Sequence, residues 1–71
     1  MEKHRIQLDL TTAMRDRIDE IAERTNAASR AEVIRRSVSL YGLLVDEAAK
    51  GTTIELVPKG RKARRERIIL A

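Results

Sequence analysis

Residues 5–10 alternate between polar and apolar side chains. The apolar positions of this segment are Ile6, Leu8 and Leu10. The polar positions between them are Arg5, Gln7 and Asp9. A period of two is typical of a β-strand that has one apolar and one polar face. We therefore predict a strand over residues 5–10.

The spacing of apolar residues becomes helical after this segment. Thr11 and Thr12 offer side-chain oxygens for a helix N-cap. The apolar residues that follow share one stripe of a helix: Met14, Ile18, Ile21 and Ala22. We predict a first helix over residues 12–25, with Asn26 ending it in a left-handed conformation. The charged residues on its other side are assigned to solvent.

A second helix is predicted over residues 30–50. Ser29 and Glu32 have the spacing of a capping box, and Gly51 is a suitable stop. One apolar stripe of this helix consists of Ile34, Val38, Tyr41, Val45 and Ala48. A neighbouring stripe consists of Val33, Leu40 and Leu44. One short helix and one strand cannot cover both stripes, so we expect a second copy of the chain to pack here.

The predicted strand also needs a second copy, because residues 1–51 offer it no hydrogen-bonding partner. A lone strand is not stable. If two copies pair their strands antiparallel about a two-fold axis, the ladder is complete and the polar face points to solvent. The expected dimer core consists of Ile6, Leu8, Leu10, Ile34, Val38 and Tyr41.

The segment after Gly51 has a different pattern. Residues 53–57 alternate and are rich in β-branched side chains, residues 58–60 form a Pro-Lys-Gly turn signal, and residues 67–70 end apolar. These features predict a C-terminal β-hairpin whose return strand begins with Arg61, Lys62, Arg64 and Arg65. A frayed tail is the alternative, because isolated hairpins are marginal in water. We divide the chain into a domain of residues 1–51 and a basic extension of residues 52–71.

The composition argues against several classes of function. The 71 residues include no cysteine and a single histidine, His4, which cannot build a metal site without carboxylates or a second chain. We expect no metal, no cofactor and no enzyme activity, since the chain has no nucleophile paired with a base and little length for a pocket. No apolar run approaches the roughly 18 residues of a membrane span. Because no signal-peptide pattern lies near the N-terminus, we expect a cytoplasmic protein.

The formal charge of +4 lies entirely in the extension. Residues 1–51 hold nine basic and nine acidic residues, whereas residues 52–71 hold six basic and two acidic. An excess of this kind suggests an anionic partner. A solvated tail that only aids solubility is the alternative.

The order of these elements resembles the ribbon-helix-helix family, which includes the Arc, methionine and plasmid copy-number repressors. The resemblance covers residues 4 to about 50 and depends on the order and separation of three stretches: residues 5–11, 14–23 and 28–34. It implies a mostly α fold with short β structure, as an intertwined dimer with an intersubunit antiparallel two-stranded ribbon. It also implies a homodimer that binds double-stranded DNA.

The resemblance assigns roles to particular residues. The polar face of the ribbon enters the major groove, which places Arg5, Gln7 and Asp9 against base edges. A phosphate binds at the start of the second helix, which here means Ser29, Arg30 and Ala31. Lys3 and His4 lie just before the strand, within reach of the flanking backbone. Asp9 departs from the family, which more often has a basic or hydroxyl residue there, and we expect it to pair with an arginine such as Arg5 of the other chain.

Three functions are compatible with these patterns. The first is a sequence-specific transcriptional regulator, specifically a repressor that binds operator DNA in the major groove. The second is an antitoxin or adaptor in which residues 52–71 bind a protein partner. The third is a non-specific nucleic-acid binder that uses its basic tail, with residues 1–51 serving only to dimerise. Substitutions in the strand and deletion of the tail would separate the three.

Overall fold

The computed structural model describes residues 3–60 and 64–70. It contains two helices followed by an antiparallel hairpin: α1 (Thr12–Thr25), α2 (Arg30–Ala49), β1 (Ile54–Leu56) and β2 (Glu66–Ile68). The chain divides into two compact units, Met1–Arg35 and Arg36–Ala71, with the boundary inside α2. The predicted combination of two helices with a short sheet is confirmed. The domain boundary placed at residue 51 stays a prediction.

Helix α1 has an end signal at each terminus. The Thr11 hydroxyl accepts a hydrogen bond from the Met14 amide at 3.1 Å, which satisfies one of the donors that every helix N-terminus leaves unpaired. Asn26 adopts φ 56° and ψ 37°, and its amide donates to the carbonyls of Ala22 and Glu23. Asparagine tolerates this left-handed conformation better than most residues do. The Thr11 cap and the left-handed Asn26 are therefore confirmed.

Helix α2 begins at a capping box with one difference from the expected form. The Ser29 hydroxyl accepts from the Glu32 amide at 3.1 Å. The Glu32 carboxylate accepts from the amide of Ala28 at 2.6 Å, one residue earlier than the Ser29 amide that the sequence predicted. The helix ends at Ala49, and Gly51 follows with φ 86°, a conformation that favours glycine.

The C-terminal hairpin is confirmed by its strand register. Ile54 lies opposite Ile68, Glu55 opposite Arg67, and Leu56 opposite Glu66. Because the return strand begins at Glu66, the prediction that it begins with basic residues is wrong for Arg64 and Arg65. Both of these arginines precede β2. The other two predicted members, Arg61 and Lys62, lie outside the described residues.

Burial in the single chain is very limited. Among the described residues only Ile18 and Val33 are buried, at 8% and 3% exposure. Ile18 comes from the apolar stripe of α1 and Val33 from the first turn of α2. Two buried side chains are far fewer than a stable domain needs, since hydrophobic burial is the main favourable term in folding. The remaining apolar residues of both α2 stripes are exposed or half-buried.

Candidate nucleic-acid interface

The N-terminal segment, residues 3–10, is exposed throughout and has no assigned secondary structure. No backbone hydrogen bond joins it to another described segment. Its apolar positions stay in water in the single chain: Ile6 is 77% exposed, Leu8 56% and Leu10 41%. A strand that pairs inside its own chain is therefore not seen in the part of the molecule that the structure describes. The intersubunit ribbon stays a prediction, as do its proposed base contacts.

The predicted DNA-contacting residues of this segment are all accessible. They are Lys3, His4, Arg5, Gln7 and Asp9. No described ion pair involves Asp9, so its expected pairing with an arginine of another chain is untested. Exposure permits the roles that the resemblance assigns to these side chains.

The start of α2 presents backbone donors and a positive charge. Ser29, Arg30 and Ala31 are all exposed. The first-turn amides of a helix have no intrahelical acceptor, and the helix dipole adds a partial positive charge at that end. In the described part of the chain, no hydrogen bond is made by the amides of Arg30 and Ala31. This is the local arrangement that binds a phosphate at a helix N-terminus.

A bidentate ion pair joins this site to α1. Arg30 donates from Nε to Asp19 Oδ1 at 2.7 Å and from Nη2 to Asp19 Oδ2 at 3.0 Å. The hydrogen bond from Arg30 lowers the pKa of Asp19 below its ordinary value, and the hydrogen bond to Asp19 raises the pKa of Arg30. A guanidinium has five N–H donors, so three remain for another acceptor. The predicted phosphate-contacting arginine is thus already held by a carboxylate.

The sequence does not reveal the pair, because Asp19 is one of the charged residues on the side of α1 that the apolar stripe assigns to solvent. The two residues are eleven positions apart across the helix-helix connection, so no i, i+3 or i, i+4 spacing links them. The usable signal is weaker: an acidic residue in the middle of one helix and an arginine at the first position of the next. In unit Met1–Arg35 this contact fixes the start of α2 to α1.

Other kinds of site are not formed by the described residues. None of their His, Asp and Glu side chains form a group of three that could hold a metal ion. The helices in residues 3–60 are too short or too polar to cross a membrane.

Comparison with known proteins places the chain in a family. The family model described as ribbon-helix-helix protein, copG family, matches residues 4–42, which is more than half of the chain. Searches with this chain found no match among the curated proteins or the solved structures. The ribbon-helix-helix family consists of DNA-binding regulators that act as dimers, and it is not a family of enzymes. The match begins one residue before the predicted strand and includes both helix starts, so the chain belongs to the copG family of ribbon-helix-helix proteins.

Proposed function

We propose that this protein is a sequence-specific transcriptional repressor that binds operator DNA as a homodimer. One observation carries the proposal. Residues 5–10 alternate between polar and apolar side chains, lie inside the family match, and have no strand partner among the described residues of their own chain. A second subunit supplies that partner, and the paired strands then present two copies of the polar face to DNA.

The lack of a core in one chain supports the homodimer. Val38, Leu40 and Tyr41 are all more than half exposed on α2. An apolar surface this large on a single chain normally marks an interface. In a two-fold dimer both chains use the same surface, so the apolar stripes of one α2 pack against those of the other.

The base contacts follow from the chemistry of the polar face. Arg5 donates two hydrogen bonds to O6 and N7 of guanine, and Gln7 pairs with N6 and N7 of adenine. Each such contact contributes about 1–3 kcal/mol of discrimination. Asp9 accepts from N4 of cytosine or pairs with Arg5 of the other chain, because a carboxylate without either partner is repelled by the phosphates.

The phosphate contacts position the ribbon in the groove. The amides of Arg30 and Ala31 donate hydrogen bonds to a phosphate at the start of α2, where the Ser29 hydroxyl caps the helix. The three N–H groups of Arg30 that Asp19 does not use add a charged contact. Lys3 and His4 extend this set along the flanking backbone. Contacts of this kind fix the register of the protein on the duplex without reading sequence.

The experiment is a selection of duplexes from a randomised library by the purified full-length protein. Fluorescence anisotropy then compares the selected duplex with a scrambled duplex at near-physiological salt. We expect the selected duplex to bind at least tenfold more tightly, and Arg5→Ala and Gln7→Ala to remove that preference. Arg15→Ala on exposed α1 is the control, since it removes the same charge as Arg5→Ala away from the ribbon. Equal affinity of the wild type for both duplexes would refute the proposal.

A further inference from the structure

We propose that the C-terminal hairpin is a second DNA contact, one that binds backbone phosphates of duplex DNA without reading bases. The inference rests on the proposed function, because it assumes that duplex DNA is the ligand. The basic surface of the hairpin is defined by four residues: Lys59, Arg64, Arg65 and Arg67. All four lie outside residues 4–42, which the family model matches.

The distribution of charge is the first argument. Residues 1–51 are electrically balanced, and residues 52–71 hold the whole net charge of +4. Attraction to the phosphate backbone is the sequence-independent part of DNA binding, and it grows with the number of phosphates that Lys and Arg neutralise. A balanced N-terminal domain supplies little of that attraction. Of the two segments compared, only residues 52–71 hold a net surplus of cations to provide it.

The hairpin geometry is the second argument, because it leaves the cations largely uncompensated. Arg65 lies 3.9 Å from the Glu55 carboxylate, whereas Arg67, opposite Glu55 in the strand register, forms no ion pair with another described residue. Lys59 and Arg64 are exposed and form no ion pair with any other described residue. Glu66, the second acidic residue, lies opposite Leu56, so it alternates onto the other face from Glu55 and Arg67.

The side chains of the hairpin favour phosphates over bases. Proteins that bind single strands without sequence preference stack bases on aromatic side chains. Residues 52–71 contain no aromatic residue, since Tyr41 is the only one in the chain. The hairpin therefore has charge without a stacking platform. This combination suits the outside of a duplex, where phosphates are exposed and bases are already stacked.

Four cations can raise the affinity for DNA because they belong to the same chain as a DNA-reading domain. A second contact in the same chain acts at a high effective concentration once the ribbon is bound, so each weak phosphate contact adds to total affinity. It adds equally for operator and other sequences, since all duplexes carry the same backbone. The hairpin thus sets affinity and salt dependence, while the ribbon sets preference.

The test neutralises the hairpin in the full-length protein and compares it with an equal charge change elsewhere. The hairpin variant is K59Q/R64Q/R65Q, which leaves every residue of β2 unchanged. The matched control is R17Q/R24Q/K50Q, because these three cations already pair with Glu20 or Glu47 at 2.6, 3.3 and 3.0 Å. A third variant, R64K/R65K, keeps the charge. Anisotropy of selected and scrambled duplexes is measured from low to high salt for each protein.

We expect the slope of log affinity against log salt to become shallower by about 3 to 5 in the hairpin variant, since each lost phosphate contact removes about 0.9 and a dimer carries two hairpins. The ratio of selected to scrambled affinity should stay within twofold of wild type. R64K/R65K should retain the wild-type slope. A wild-type slope in the hairpin variant overturns the inference, and so does an equal loss in the matched control.

Two further outcomes separate this inference from its alternatives. If the hairpin variant keeps its DNA slope but loses binding to phosphatidylserine vesicles, the surface is a membrane contact and the inference is wrong. If it keeps its DNA slope but no longer retains a co-purifying protein, the surface is a protein contact and the inference is again wrong. Failure of the proposed function looks different: the wild type itself shows no preference for the selected duplex.

Discussion

Leu8→Ala tests whether the N-terminal segment is buried between two chains. Leu8 is 56% exposed in the single chain, so slightly more than half of its surface is still in water. Burying a leucine side chain completely is worth about 1.5–3 kcal/mol, so burying the exposed part is worth about 1–1.5 kcal/mol. A symmetric dimer contains two copies of Leu8. The substitution should therefore weaken the dimer by about 2–3 kcal/mol.

In binding terms this is a rise of roughly 100-fold in the dimer dissociation constant, because each 1.4 kcal/mol is a factor of ten. Sedimentation equilibrium over a range of protein concentrations measures that constant directly. Thermal unfolding gives an independent reading, since the midpoint of a dimer that unfolds with dissociation rises with concentration. Leu8→Ala should lower the midpoint at every concentration.

Leu43→Ala is the matched control for this experiment. Leu43 is the same residue type and is 57% exposed, so it loses the same apolar surface. It lies about 180° around α2 from Ile34, outside both apolar stripes, given 3.6 residues per turn. It should change the dissociation constant by less than threefold. Equal effects of the two substitutions, or a wild-type protein that is monomeric at micromolar concentration, would refute the reasoning.

Three further predictions concern the helices. Val33→Ala should reduce the free energy of unfolding by roughly 2 kcal/mol in urea titrations, because Val33 is only 3% exposed and the cavity adds to the lost burial. Asn26→Ala should cost about 1 kcal/mol in the same assay through its positive φ, whereas Asn26→Gly should be nearly neutral. Asp19→Asn should destabilise the protein at pH 7, and its difference from the wild type should shrink as the pH is lowered, measured by unfolding across an acid series. The sign follows from the pKa of Asp19, which the hydrogen bond from Arg30 lowers in the folded state, so the stabilisation is present above the unfolded value of about 3.9 and is lost as pH falls through the lower pKa of the folded state.

The helices were predictable because their signals are local. The bounds of α1 match the predicted range of 12–25, since the Thr11 cap and the left-handed Asn26 each depend on residues within one or two turns. The stop at Gly51 was predicted to within one residue for the same reason. The hairpin was predictable from alternation and from the turn signal at residues 58–60.

The features that sequence reasoning missed depend on contacts between elements. Asp19 and Arg30 meet only because the connection between the helices brings them together, and no periodicity encodes that approach. The Glu32 carboxylate reaches the Ala28 amide because the backbone before α2 turns so as to present that donor. The start of β2 at Glu66 follows from cross-strand register, which is set by the length of the connection and not by where the basic residues begin.

The placement of charge suggests why a DNA-reading domain can be electrically neutral. Attraction to phosphates acts on every sequence alike, so it raises the affinity for operator and non-operator DNA by the same factor and leaves their ratio to the base contacts. Here Arg30 is partly neutralised by Asp19, and Asp9 lies among the proposed base-reading residues. Under the proposed DNA contacts, both carboxylates would weaken sequence-independent binding near the positions that read bases. If the hairpin supplies affinity as proposed, that affinity can be changed without altering the proposed base contacts, so substitutions in the two segments should affect affinity and preference separately.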